Sequence, residues 1–414
     1  MPETPFPDDG APDSTLALLR EGYEFLPRRF ARLRTDAFRS RLMLRRATCV
    51  RGAEAAEMFY GGQRFTRRGA MPITVLKLLQ DRGSVQTLDG AAHHHRKALF
   101  LSLTAPGSVA RLTALAEEEW LRRLPAWDGR ARVNLFDETR AILLRAACAW
   151  AGVPLRAEDT DRRLREISEM IEATGSVGPR NWRALLLRAR AERWARGLVR
   201  DARARPQAGL GTPLAILAAH RDHAGTLLSA KVAAVELLNL LRPTVAVARF
   251  LVFAALALHR HPEAARRIRE GDAAYLDAFA QEVRRHSPFF PLVGGRALQG
   301  FDWRGRRIAK GAWVLLDLYG TNRDPRLWDA PEEFRPERFL DRTPTPFDLV
   351  PQGGGDHLTG HRCPGEGITL ALIATAARRL AVLPHEVPPQ DLSVDLSRIP
   401  ALPRSGFDLV LKGR

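Results

Sequence analysis

The chain of 414 residues is 45% hydrophobic and 27% charged, an ordinary globular balance that excludes wholesale disorder. It carries 64 Lys+Arg against 47 Asp+Glu, a formal net charge of +17, and only five of the cations are lysines. The arginines run the whole length, mixed with acids, so the excess reads as compositional bias with solvated faces and no nucleic-acid partner is expected.

Residues 1–15 hold four prolines and four acids and read as a flexible tail without the apolar core of a signal peptide. Cys49, Cys148 and Cys363 are too few and too scattered for a disulfide framework, so a reduced, cytoplasmic protein is expected. Helical spacing of apolar residues covers 39–60, 91–102, 107–125, 136–152, 158–173, 181–204, 212–222, 226–259, 262–270, 272–286 and 365–383. Between the first two lies Ser84-Val85-Gln86-Thr87-Leu88-Asp89-Gly90, and the second carries His93-His94-His95-Arg96-Lys97. Adjacent helical residues point about 100° apart, so the three histidines do not converge on one bare metal ion.

The helix 226–259 is apolar until Arg242-Pro243-Thr244. A proline inside a helix removes a hydrogen bond, clashes with the carbonyl four residues back (that of Asn239) and costs about 3 kcal/mol, so a kink is expected. An arginine among apolar residues needs an anion. Two candidates stand: Glu236, six residues earlier on a poorly matched face, or the carboxylate of a substrate held by both arms of the guanidinium. The longest apolar run, Phe250 to Leu258, falls short of the roughly 20 residues that cross a bilayer, so no transmembrane segment is expected.

Helix 272–286 contains Glu282-Val283-Arg284-Arg285, with the acid and Arg285 on one face. After Phe289-Phe290, a hairpin turns at Arg304-Gly305-Arg306, a strand follows over 312–319, and 320–364 is Pro-rich loop carrying Phe334-Arg335-Pro336-Glu337-Arg338-Phe339. The densest stretch is Pro351-Gln352-Gly353-Gly354-Gly355-Asp356-His357-Leu358-Thr359-Gly360-His361-Arg362-Cys363-Pro364-Gly365-Glu366. Cys363 precedes a helix start, where free N–H groups and the dipole favour a thiolate: nucleophile, redox centre or metal ligand. A buried inert cysteine is the competing reading. His361 and Arg362 suit anionic groups on whatever the sulfur binds.

Taken in this order, Glu-x-x-Arg, Pro-Glu-Arg-Phe and the Gly-rich cysteine loop resemble the cytochrome P450 superfamily over roughly 61–411. The resemblance implies a mainly α fold, one haem-thiolate domain over 16–414 with a small β-rich subdomain. It implies haem b (iron protoporphyrin IX) with Cys363 as the axial thiolate, and Glu282, Arg285 and Arg338 as a structural cluster holding the cysteine loop. His93 matches the usual propionate-binding histidine. Lys97 stands at the usual arginine position with Arg96 beside it, so Arg96 competes as the cation there.

Typical members place an acid and a threonine where this chain has Arg242-Pro243. That replacement, with Ser84–Gly90 and Gln352–Asp356, looks like the fatty-acid peroxygenase branch, which uses hydrogen peroxide directly and needs no redox partner. By that resemblance Arg242 holds the carboxylate of a long-chain fatty acid, which acts as general acid–base, and oxidation falls on Cα or Cβ with decarboxylation to a terminal alkene as a side path. Gln86 is then a distal-pocket residue, where Gln in place of His favours hydroxylation. Phe289 and Phe290 line the channel or simply pack in the core. The alternatives are a reductase-dependent monooxygenase of the same fold and a non-enzymatic lipid- or nucleic-acid-binding helical protein.

Overall fold

A computed structural model describes residues 5–81, 83–206 and 210–412. The helices that build the site are α1 (Ile73–Leu79), α2 (Gly90–Leu103), α3 (Pro106–Arg123), α4 (Leu135–Ala151), α5 (Thr160–Glu172), α6 (Pro179–Ala204), α7 (Ala230–Ala246), α8 (Ala248–Arg260), α9 (Ala273–His286) and α10 (Glu366–Val382). Side-chain caps start three of them: Asn134 for α4, Ser229 for α7 and Asp272 for α9 each accept from a backbone N–H three residues on. The apolar faces of α4, α7, α8, α9 and α10 meet in one large core cluster, in which Leu237, Leu241, Phe250, Phe279 and Ile373 are fully buried.

The run Ala230–Arg260 is long and apolar enough to cross a membrane, although most of it is buried inside the protein. The shorter run read from sequence, Phe250 to Leu258, stops at Arg249 and His259, and the structure continues the helix on both sides of it. Pro243 sits inside α7 and the helix carries through it. The interruption comes one turn later than the expected kink, at Val247, whose N–H is shared between the Pro243 and Thr244 carbonyls at 3.2 Å each.

A five-stranded sheet flanks this body: β1 (Ala37–Leu42), β2 (Arg45–Val50), β3 (Phe65–Thr66), β4 (Leu292–Ala297) and β5 (Trp313–Asp317), in the order β1-β2-β5-β4-β3. Only β2 and β5 run parallel. The helix expected over 39–60 is therefore a correction: it is the β1–β2 hairpin followed by a helix at Ala53–Tyr60. The turn residues Met43 and Leu44 adopt φ of 52° and 60°, a left-handed pair that the sequence does not announce with Gly or Asn.

Within the tail expected to be flexible, the chain packs against the sheet from Phe6 onward. Phe6 is buried, and Arg39 of β1 exchanges backbone hydrogen bonds with Pro7 and Asp9 at 2.7 and 2.9 Å. The Asp9 carboxylate accepts from Ser14 and Ser40 at 2.7 and 2.6 Å. Residues 1–4 of that tail lie outside the described residues.

Candidate active site

The loop before α10 is fixed around Cys363. The Cys363 N–H donates to the Gln352 carbonyl at 3.2 Å, and the Gln352 amide nitrogen lies 3.0 Å from Thr369 Oγ1 and 3.9 Å from Cys363 Sγ. Gln352 is held in turn by Arg284, at 3.0 Å. Gly355 has φ 83°, and a Cβ there would come within 2.7 Å of Tyr60 Cβ, so the tyrosine occupies the space a side chain would need.

Glu366 takes both nearby arginines, Arg362 at 2.8 Å and Arg284 at 3.3 Å. Arg362, expected to face an anion on the bound group, is thus committed to the protein. Burial pushes the Cys363 thiol above its ordinary value, helped by Glu366 and opposed by the Gly365 N–H, Lys97 and Arg284. The free N–H groups at the helix start work against this desolvation without cancelling it.

On the other side of the loop, cations gather. Lys97 of α2 donates to the Arg362 carbonyl, and the His93 ring lies 4.0 Å from that of His361, tilted by 35°. Arg67, which donates to the Gly294 carbonyl at 2.7 Å, lies over the Phe59 ring at 4.5 Å. Burial lowers His93 to about 4, His361 to about 2 and Lys97 to about 8. The side chains that add to the lowering of His361 are all basic: Arg67, His93, Lys97 and His94.

A haem presents iron for one axial thiolate and two propionate carboxylates, and the chain offers Cys363 beside this acid-poor cluster. Among the described residues no group of three or more His, Cys, Asp or Glu could hold a metal ion by itself. His95 points elsewhere, bonded to the Arg221 carbonyl at 2.9 Å and stacked on His220.

Behind the loop, Glu282 and Arg285 form a fully buried two-pronged pair, both bonds 2.7 Å. Arg338 joins Glu282 at 3.3 Å, and Arg285 also donates to the carbonyls of Asn322, Pro331 and Glu333. One helix face is thereby tied to the loop leading to Cys363.

Arg96 answers the question left beside Lys97. It faces away from the cysteine loop and pairs with Glu236 of α7 at 2.7 Å. Glu236 also accepts from the Val85 N–H at 2.8 Å and from Asn239 Nδ2 at 2.9 Å. Burial pushes the Glu236 carboxyl up while Arg96, Asn239 and Val85 pull it down. Asn239 Nδ2 lies 3.3 Å from Gln86 Oε1, and Asn239 Oδ1 accepts from Arg242 at 2.9 Å.

Arg242 is 4% exposed, and its other acceptors are the Leu78 carbonyl at 3.5 Å and the Leu79 carbonyl. All three are neutral. Among the described residues Arg242 has no ion pair, and Glu236 is its partner only through Asn239. Burial pushes the guanidinium well below its ordinary value, Arg188 adding to the shift and Glu236 opposing it. The buried cation that sequence reasoning required to have an anion has none among the described residues.

Thr244 Oγ1 is turned into the helix, donating to the Leu240 carbonyl at 2.8 Å. Phe289 stacks on Phe250 of α8 at 4.4 Å and Phe290 meets Phe289 edge-on at 4.8 Å, leaving Phe290 39% exposed. Tyr60, Arg67 and Asn239 were not singled out from sequence. Only Asn239 left a signal, the i, i+3, i+6 series Glu236, Asn239, Arg242 on α7.

A family model for cytochrome P450 matches residues 250–375. The solved structure of Cytochrome P450SP alpha (CYP152B1) is 45% identical, with 97% of this chain and 100% of that chain covered and a TM-score of 0.93. Wild-type Cytochrome P450EX alpha (CYP152N1), solved with myristic acid, is 39% identical over 98% of each chain with a TM-score of 0.94. Among curated relatives, Rhazimal synthase from Alstonia scholaris is 34% identical over 163 residues, which spans 33% of this chain and 32% of that protein.

Proposed function

The chain belongs to the cytochrome P450 family, with full-length neighbours in the CYP152 group, and from that premise we propose that it is a fatty-acid peroxygenase. In this reading it uses hydrogen peroxide, without a redox partner, to hydroxylate long-chain fatty acids at Cα or Cβ, with decarboxylation to a terminal alkene as a side reaction. The observation that carries the reading is the buried Arg242 guanidinium, which among the described residues meets three neutral acceptors and no acid. A carboxylate is the complement it lacks, and the neighbour solved with myristic acid supports a fatty acid as its source.

The cofactor in this proposal is haem b, whose iron Cys363 would ligate and whose carboxylates Arg67, His93, Lys97 and His361 would hold. When bound, the haem supplies peroxide activation and oxygen insertion at a C–H bond. The chain's own residues bind and orient. Arg242 holds the carboxylate, and the short distance from that anchor confines reaction to the first two carbons of the tail. Asn239 fixes the guanidinium, and its other end is locked by Glu236.

Thr244 has its hydroxyl engaged by the Leu240 carbonyl, and Glu236 is engaged by Arg96, so neither is available as a proton relay. The bound substrate carboxylate takes that role: it accepts a proton from peroxide at one oxygen and returns it to the departing oxygen. Gln86, neutral and in contact with Asn239, supplies no titrating group, which favours hydroxylation. The inward packing of Ala230–Arg260 supports a core helix of the domain in place of a membrane span. Incubation of the haem-loaded protein with a long-chain fatty acid and peroxide, without reductant, tests the reading. Hydroxy-acid product supports it; turnover only with NADPH and a reductase favours a conventional monooxygenase.

A further inference from the structure

Arg242 depends on more than its own helix. Its guanidinium leaves α7 and ends on the last carbonyls of α1, those of Leu78 and Leu79. A second buried guanidinium arrives at the same turn from α6. Arg188 is 2% exposed and donates to the Leu78 carbonyl at 2.6 Å and to the Gln80 carbonyl at 3.3 Å. Its third nitrogen, Nε, bonds Glu192 at 2.8 Å, so its charge is offset, while among the described residues that of Arg242 meets no acid.

The shared element is weak on its own. α1 has seven residues, fewer than two full turns, and an isolated helix of that length does not hold in water. Its apolar anchor is Leu78, packed with Ala173 and Ala184 at the junction with α5 and α6. Its C-terminal carbonyls carry the negative end of the helix and call for donors. Arg188 supplies those donors from a rigid 26-residue helix.

We propose that Arg188 is a positioning residue for Arg242: by fixing the last turn of α1 it sets where the Leu78 and Leu79 carbonyls hold the pocket guanidinium, and so which carbon of the substrate is oxidised. The proposal rests on the fatty-acid reading above. The two cations also repel each other, so the pair leaves one charge satisfied by Glu192 and the other reserved for the substrate. Cα and Cβ differ by a single bond along the chain, and misplacement of an anchor by about 1 Å can change a rate about a hundredfold. The ratio of 2-hydroxy to 3-hydroxy product is therefore a sensitive reporter of the anchor's position.

The test compares haem-loaded wild type with Arg188→Met, Arg188→Lys and, as control, Arg203→Met. Arg203 lies on the same helix and also donates to two backbone carbonyls, of Ala218 and Leu228, but away from α1. Myristic acid binding is read without peroxide from the shift of the haem absorption band, and the product ratio with peroxide. Arg188→Met is expected to weaken binding about tenfold and move the ratio at least about threefold at unchanged haem content. Lysine restores the charge without the fork and is expected to fall between. Arg203→Met is expected to lower stability and leave both readouts within about twofold.

Wild-type binding and ratio in Arg188→Met, or equal shifts in Arg203→Met, overturn the proposal. If Arg188→Met does not load haem, Arg188→Lys decides, and a wild-type ratio there overturns it. A wild-type enzyme that binds myristic acid but does not oxidise it with peroxide contradicts the function above, while the band shift still reports the effect of Arg188.

Discussion

Replacing Arg242 by methionine separates a substrate anchor from a structural strut. The substrate carboxylate accepts two charge-assisted hydrogen bonds in the proposed complex, each contributing about 1.5–3 kcal/mol. Their loss removes about 3–6 kcal/mol of transition-state binding, a fall of about 10²- to 10⁴-fold in kcat/KM. Stability is expected to move the other way or not at all. The guanidinium is buried against the Leu78 and Leu79 carbonyls and Asn239 Oδ1, with no counter-charge among the described residues. Three lost hydrogen bonds at about 1 kcal/mol each are offset by removal of a desolvation penalty of several kcal/mol. Steady-state peroxide turnover of a fatty acid and urea unfolding of the same holoenzyme give both numbers. Turnover within tenfold of wild type, or a stability loss above about 2 kcal/mol, refutes the reasoning.

Three further outcomes are expected. Glu282→Gln leaves Arg285 and Arg338 buried without their shared acid, and a loss of about 3–5 kcal/mol with poor haem retention is expected in urea titrations followed at the Soret band. Burial raises the Asp317 carboxyl to about 7 from an ordinary 3.8, so its contribution to stability is present in full below about pH 4 and is lost as pH rises towards 7, at most about 4 kcal/mol. Asp317→Asn is expected to flatten the dependence of the unfolding midpoint between pH 5 and 8, and an unchanged slope contradicts the assignment. Gln86→His replaces a neutral amide by a titrating ring beside Asn239, and a higher alkene fraction that varies with pH near neutrality is expected by gas chromatography.

The cysteine loop, the Glu282–Arg285 pair and most helices were legible because each is written locally, as glycines before a cysteine, an i, i+3 ion pair or apolar spacing. The β1–β2 hairpin was not, since Met43 and Leu44 turn the chain with left-handed φ and without turn residues. Neighbours in one helix also split in ways that spacing leaves open. Lys97 reaches the cysteine loop while Arg96, about 100° around α2, reaches Glu236. That pairing removes Glu236 from Arg242, and it spans 140 residues of chain, so no local pattern announces it. Arg67, Tyr60 and Arg188 owe their places to the same kind of long-range contact.

The most direct test of the central claim compares a long-chain fatty acid with its methyl ester, each given peroxide and no reductant. The account predicts 2- or 3-hydroxylation of the free acid and no turnover of the ester, because the ester brings Arg242 no charge and the pocket no proton carrier. Equal oxidation of acid and ester, or product from the acid only with NADPH and a reductase, would contradict it.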